Sequence, residues 1–328
     1  MNTLKKIMLL SVFGWGMLHA EEYTFGNGWQ AGNTPLVLGG YISSTLDLNK
    51  NTDTFYIDDI ALLAYGEFDH FDFLAEFETE DIYIKEIGNN HDKGGNFTIQ
   101  IERLYGDYFF GDSERLRFGK FNSDIGFWNQ MPINVLRDTT SSPHYTEDFF
   151  PKFTTGIHIE SHPAAGALSR VSLTVQHNND LDSDYNNFII DRHYGVACDI
   201  GDNNVLWRFG GGYFQEEPAA REAWYATGAL RMEEKQWNLI LESVLRHDTK
   251  DGKMSYDVYA QGVWHLIAQH DLVVRAEVEK APVTRTHDGS ATVGYAYRPL
   301  TNVALKGEYE AHQESLLNRW LFSFSVLF

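Results

Sequence analysis

Cysteine is nearly absent: Cys198 is the only one in 328 residues. A lone thiol excludes an intrachain disulfide framework and any multi-thiolate metal centre, which leaves it a small apolar wall residue. Cations are also few, 26 Lys and Arg against 46 Asp and Glu, for a formal net charge of −20. Acidity of that size argues against nucleic acid as a partner, because phosphate binding needs clustered basic side chains. Long apolar runs are missing too. The stretch Ile7 to Met17 is shorter than the roughly 18–20 residues that a spanning helix needs, and nothing later in the chain reaches that length. Mean hydropathy is −0.35, too low for a helical membrane protein.

What is there begins with Lys5 and Lys6, the apolar core 7–17, and Leu18-His19-Ala20 before Glu21. This pattern predicts a cleaved secretory peptide over 1–20. Its removal takes away two lysines and no acids, so −20 becomes −22 for residues 21–328. Aromatic residues make up 14% of the chain, with 17 Tyr, 22 Phe and 8 Trp beside 28 Gly. Low hydropathy with many aromatics suits an all-β membrane barrel, whose lining is polar, whose outside is apolar and whose rims carry aromatic girdles.

The spacing predicts sixteen strands, over 35–47, 54–68, 71–84, 97–110, 114–121, 153–160, 169–178, 188–200, 204–215, 222–233, 236–247, 254–267, 270–280, 290–298, 301–312 and 317–328. Alternation is plain where Leu272, Val274, Ala276 and Val278 oppose Arg275, Glu277 and Glu279. Alternation alone also fits a soluble sandwich. The connections decide, because they run longer, shorter, longer, shorter along the chain, as in a barrel with loops on one rim and turns on the other. Between Phe97 and Phe110 the apolar face changes sides, which predicts a bulge near Glu102-Arg103.

The last segment places Trp320, Phe322, Phe324, Val326 and Phe328 on one face of a strand and Arg319, Ser323 and Ser325 on the other. It resembles the C-terminal insertion signal of bacterial outer-membrane barrels. The third outer connection, Asn122 to Lys152, is about thirty residues long, well past the usual loop length. It carries Trp128, Phe149 and Phe150 as apolar anchors, with Asp124, Asp138, Glu147 and Asp148. Together with the Gly119-Lys120-Phe121 lead-in, sixteen strands and a long third loop resemble the general porin family. That resemblance implies a transmembrane antiparallel barrel in a Gram-negative outer membrane, with loop 122–152 folded into the lumen. It further implies a wall in lipid and lipopolysaccharide, handling by the barrel assembly machinery, a homotrimer, and small hydrophilic solutes as cargo.

Parity and depth then single out Arg208, Arg275 and Lys306 as wall cations facing the loop's acids, with Glu76, Glu277 and Glu308 sharing the lumen. The net charge favours a weak cation preference, and no cofactor, metal or chemistry is expected. Barrel enzymes and closed adhesive barrels are the alternatives. Ser141, Ser142 and His144 are close in sequence, as a hydrolase would need in space. His158-Ile159-Glu160 lacks a second ligand cluster and predicts a solvated lumen histidine. Gly210-Gly211-Gly212 lies within a strand without the Lys-Ser/Thr of a phosphate loop, and predicts close packing or curvature.

Overall fold

The computed structural model describes residues 20–24, 26–88, 92–94, 98–164, 166–217, 221–282, 284 and 286–328. The expected export peptide, 1–20, lies outside them except for Ala20.

Sixteen strands make the wall: β1 (Val37–Asn49), β2 (Asp53–Phe68), β3 (Phe71–Ile87), β4 (Gln100–Phe109), β5 (Glu114–Asn122), β6 (Phe153–Ser161), β7 (Leu168–His177), β8 (Ile190–Gly201), β9 (Val205–Glu216), β10 (Arg221–Glu234), β11 (Trp237–Asp248), β12 (Lys253–Ile267), β13 (His270–Lys280), β14 (His287–Leu300), β15 (Val303–His312) and β16 (Arg319–Leu327). Each pairs antiparallel with its neighbours in the chain, and β16 pairs with β1 from Arg319↔Asn49 to Leu327↔Tyr41. Closure continues past the last strand, where Phe328 and Gly40 exchange backbone hydrogen bonds of 2.8 Å. A short strand at Gly28–Ala31 pairs with the start of β1.

The predicted strands correspond one to one with these sixteen, their ends displaced by a few residues. The predicted bulge is present as well: Glu76 pairs with Arg103 and Phe77 with Ile101, so Glu102 is the unpaired extra residue. Phe97, the predicted start of that strand, lies outside the described residues.

Burial is the reverse of a soluble protein's. Along β7, Arg170, Ser172, Thr174 and Gln176 are buried, whereas Val171, Leu173 and Val175 are exposed. The same inversion holds at β13, where Arg275 and Glu277 are buried and Val274 and Val278 exposed. At β16, Trp320, Phe322 and Phe324 stand outside while Leu321, Ser323 and Ser325 face in. An apolar outside of this extent needs a covering phase, and lipid supplies it without competing for backbone hydrogen bonds.

Gly212 shows why the β9 glycines are there. A Cβ at that position would sit 2.6 Å from Cζ of Tyr225, whose ring lies across the inner face of β9. At this inward member of the run, glycine serves close packing.

A cation placed on the outer face is therefore expected to be costly. Val274→Arg should lower the unfolding free energy of the barrel in lipid vesicles by about 2–4 kcal/mol if it lies near mid-membrane. Denaturant titration of both proteins checks this.

Candidate functional site

The loop between β5 and β6 folds into the lumen and is fastened there by apolar and polar contacts. Ile125, Phe127, Trp128, Tyr145, Phe149 and Phe150 form one buried cluster with Ile190, Phe214, Tyr225, Val244 and Tyr259 of β8–β12. Each fully buried aromatic contributes about 1.5–3 kcal/mol, so this loop is held as a core is held. The inner wall of β8–β12 is consequently apolar at these positions, which departs from a uniformly polar lining.

Beneath the aromatics lies Glu242 on β11, fully buried. Its carboxylate accepts from the backbone N–H groups of Phe127 and Trp128 and from the Tyr259 hydroxyl. Gly126, at φ +63, turns the chain so that those amides reach it, and any Cβ there would collide with the same carboxylate.

The loop's middle crosses to the other side. Ile133 packs beside Tyr41, Ala61 and Leu63. Glu308 accepts from the amides of Thr140 and Ser141 at 2.9 and 2.7 Å, and Thr140 Oγ1 lies 2.7 Å from Ser323 Oγ.

A second loop, between β7 and β8, also enters. Lys120 Nζ donates to the carbonyls of Asp182 and Tyr185, while Asp182 accepts from the Ile101 amide on β4. Sequence reasoning missed this inward fold. No local signal marks it, because Lys120, the inward lysine near the end of β5 that holds this loop, meets Asp182 and Tyr185 only across 62 and 65 residues of chain.

Between the two loops and the wall of β1–β4 a cavity of about 340 Å³ remains. Its wall side carries Tyr41, Asp59, Glu78, Glu80 and Glu102, and its loop side carries Arg137, Glu147 and Lys152. The wall is thus acidic, whereas the loops bring cations and acids alike, Arg137 and Lys152 beside Glu147 and Asp184.

No protein-family model matches the chain, nor does any curated protein sequence. Solved structures do match. Salmonella typhi OmpF, in complex with daunomycin, aligns at a TM-score of 0.63 and 9% identity over 92% of this chain and 98% of that one. The anion-selective porin from Comamonas acidovorans aligns at 0.62 and 10%, over 90% and 100%. In-vitro folded OmpT, an outer membrane protein of Vibrio cholerae in its trimer form, aligns at 0.57 and 9%, over 89% and 98%. The chain has the porin fold.

Within that porin fold the residues expected at the constriction separate into groups. Asp124 is paired with Arg170 at 2.8 Å and accepts from Ser172. Burial would raise its pKa, but Arg170 and Arg208 outweigh burial and hold it at about 2. Arg208 makes two 2.8 Å bonds to Asp199 and donates to the Gly126 carbonyl at 2.7 Å. Arg275, 1% exposed, binds Ser141 through its carbonyl and hydroxyl at 2.8 and 2.7 Å. Lys306 is closed in by the Asn134 carbonyl and side chain. These three wall cations therefore engage the loop directly, each through a backbone carbonyl. Asp138 lies 3.8 Å from Arg298, and the Asp148 carbonyl accepts from Arg246 at 2.8 Å. Glu277 accepts from the Tyr145 amide at 3.3 Å, and Glu76 is bonded to Arg103. Glu147, paired with Lys152 at 3.0 Å, lines the cavity.

Ser141 is bonded to Arg275 and His144 to Glu279 at 2.7 Å, so neither is bonded to the other. His158 is buried rather than solvated, against Thr174 and Glu160. Arg170, Glu78 and Glu102 were missed; each lies on the polar face of its alternation, Glu102 only because the bulge turns it inward.

Two outcomes are expected. Glu242→Ala leaves two buried amides without an acceptor, at about 1–3 kcal/mol each, and should make residues 123–152 cleavable by protease in an otherwise folded barrel. His144 has its pKa raised from 6.5 to about 9, chiefly by the Glu279 hydrogen bond and further by Glu277 and Glu310, against the opposing effect of burial. Because the bound form is the protonated one, this attachment is complete below pH 6.5 and is lost as pH rises through about 9. Hydrogen exchange around 143–147 should accelerate between pH 7 and 10 beyond its intrinsic pH dependence, and His144→Ala should abolish that excess.

Proposed function

We propose that this protein is an outer-membrane diffusion channel for ions and small hydrophilic solutes, selected by size and charge where the loops narrow the lumen. The observation that carries the reading is the polar cavity of about 340 Å³ left between the inward loops and the wall of β1–β4. A plugged barrel would have closed it; a pore needs it.

On this reading the rim of longer loops is extracellular and the rim of short turns, such as 69–70 and 301–302, is periplasmic. The chain is exported with a peptide over 1–20 that is then removed, inserts with the help of its C-terminal strand and the assembly machinery, and functions as a homotrimer in lipid and lipopolysaccharide. The channel performs no chemistry. The trimer draws support from the trimer form of the Vibrio cholerae neighbour. Asp124, Asp138, Asp148, Arg208, Arg275 and Lys306 set the constriction by positioning the loop, while Asp59, Glu78, Glu80 and Glu102 supply the charge that a solute meets. A net acidic wall favours cations over anions, weakly, because Arg137 and Lys152 stand opposite.

Planar-bilayer recordings under a salt gradient test this. Stepwise channels with a reversal potential shifted toward cations are expected, and Glu80→Gln should reduce the shift. Folded protein that inserts without conducting would end the channel reading.

A further inference from the structure

The acidic wall holds one arrangement that diffusion does not need. Glu76, Glu78 and Glu102 each bring a carboxylate oxygen within 4.8 Å of the others'. All three are buried, at 0, 2 and 2% exposure. The β-bulge makes this possible: as the extra residue opposite Glu76 and Phe77, Glu102 turns inward beside its neighbours across the strand pair.

The donors available are too few for three carboxylates. Arg103 binds Glu76 Oε2. Tyr41 Oη lies 2.8 Å from Glu78 Oε2 and 3.0 Å from Glu102 Oε2, with one proton to give. Tyr185 Oη, from the loop between β7 and β8, donates to Glu78 Oε2 at 2.8 Å. Glu76 Oε1 is fully buried and has no hydrogen-bond partner. Three negative charges against one guanidinium leave an excess of two, on the wall of a water-accessible cavity lined by Glu78 and Glu102.

We infer that Glu76, Glu78 and Glu102 bind a divalent, calcium-class cation on the pore wall. Such an ion prefers carboxylate oxygens at about 2.3–2.6 Å, so no two of its ligands stand more than about 4.6–5.2 Å apart. The three carboxylate oxygens, all within 4.8 Å of one another, meet that limit. Glu76 Oε1 gains the partner it lacks, the cavity supplies water for the remaining positions, and Arg103 accounts for the third charge. A bound ion also fixes Glu78 under Tyr185 and so stabilises the inward position of the second loop.

Terbium is a probe for such a site, because Tyr41 and Tyr185 adjoin it and sensitise its luminescence. Folded barrel in detergent at pH 7 is expected to give a saturable signal at one ion per chain, displaced by calcium. Glu102→Gln and Glu76→Gln should each weaken binding at least tenfold, whereas Glu217→Gln, on an exposed loop, should leave it unchanged. Having both site variants keeps the test intact if one fails to fold. Absence of a saturable signal, or equal affinity in a folded site variant, overturns the inference and leaves a shared proton as what relieves the three acids. The measurement needs no conductance, so a barrel that binds terbium but passes no current would end the channel reading and leave the cation site standing.

Discussion

The structure depends on hydrogen-bond closure between its first and last strands. Lipid offers no partner to a backbone N–H or C=O, so a sheet exposed to it must leave no edge. Pairing of β16 with β1, extended by Phe328 and Gly40, satisfies that demand. Once the sheet is closed, the period of two sends each strand's apolar set outward and its polar set inward. The ring then encloses more charge than water alone occupies, and everything inside follows from how those charges are matched.

The match is made by the two inward loops. A carboxylate or guanidinium removed from water must find hydrogen-bonding partners or carry a large desolvation cost. Here the partners are loop backbone groups: Glu242 takes the amides of Phe127 and Trp128, Glu308 those of Thr140 and Ser141, Arg275 the Ser141 carbonyl, Lys306 the Asn134 carbonyl. An irregular segment inside a barrel would otherwise strand many backbone groups, so wall charges and loop backbone solve one another's problem. Aromatic packing on β8–β12 supplies the bulk of the attraction, and the polar contacts fix the path.

How legible this was depended on the range of the interactions. Strands and turns are local, and Leu272 to Glu279 or Trp320 to Phe328 declare their faces within a few residues. Even the bulge at Glu102 was readable, as the point where the apolar face changes sides. The loop's presence was legible from its length and its anchors Trp128, Phe149 and Phe150. Its path was not, because that path is set by Glu242 and Lys306, both more than a hundred residues away in the chain. Arg208, Arg275 and Lys306 face inward and bond the loop, yet parity cannot say whether an inward cation meets water or a carbonyl. The second loop was invisible for the same reason, since only the fold brings Tyr185 to Glu78.

If the barrel works as the proposed diffusion channel, the charge arrangement has a consequence for transport. None of Arg208, Arg275 and Lys306 lines the cavity, and two of them face acids, Arg208 at 2.8 Å from Asp199 and Arg275 at 3.4 Å from Glu310, so the field a solute meets there is set mainly by nearer groups. The groups at the cavity surface are the acids of β2–β4 on the wall and, on the loops, Arg137 and Lys152 balanced by Glu147 and Asp184. The transverse field therefore points from the loop toward the β1–β4 wall, opposite to that of a basic wall facing an acidic loop. A dipolar solute would cross with its positive end toward the barrel wall. Any cation held by Glu76, Glu78 and Glu102 would weaken that field at its source, so the selectivity of such a pore would depend on divalent ion concentration as well as on its own sequence.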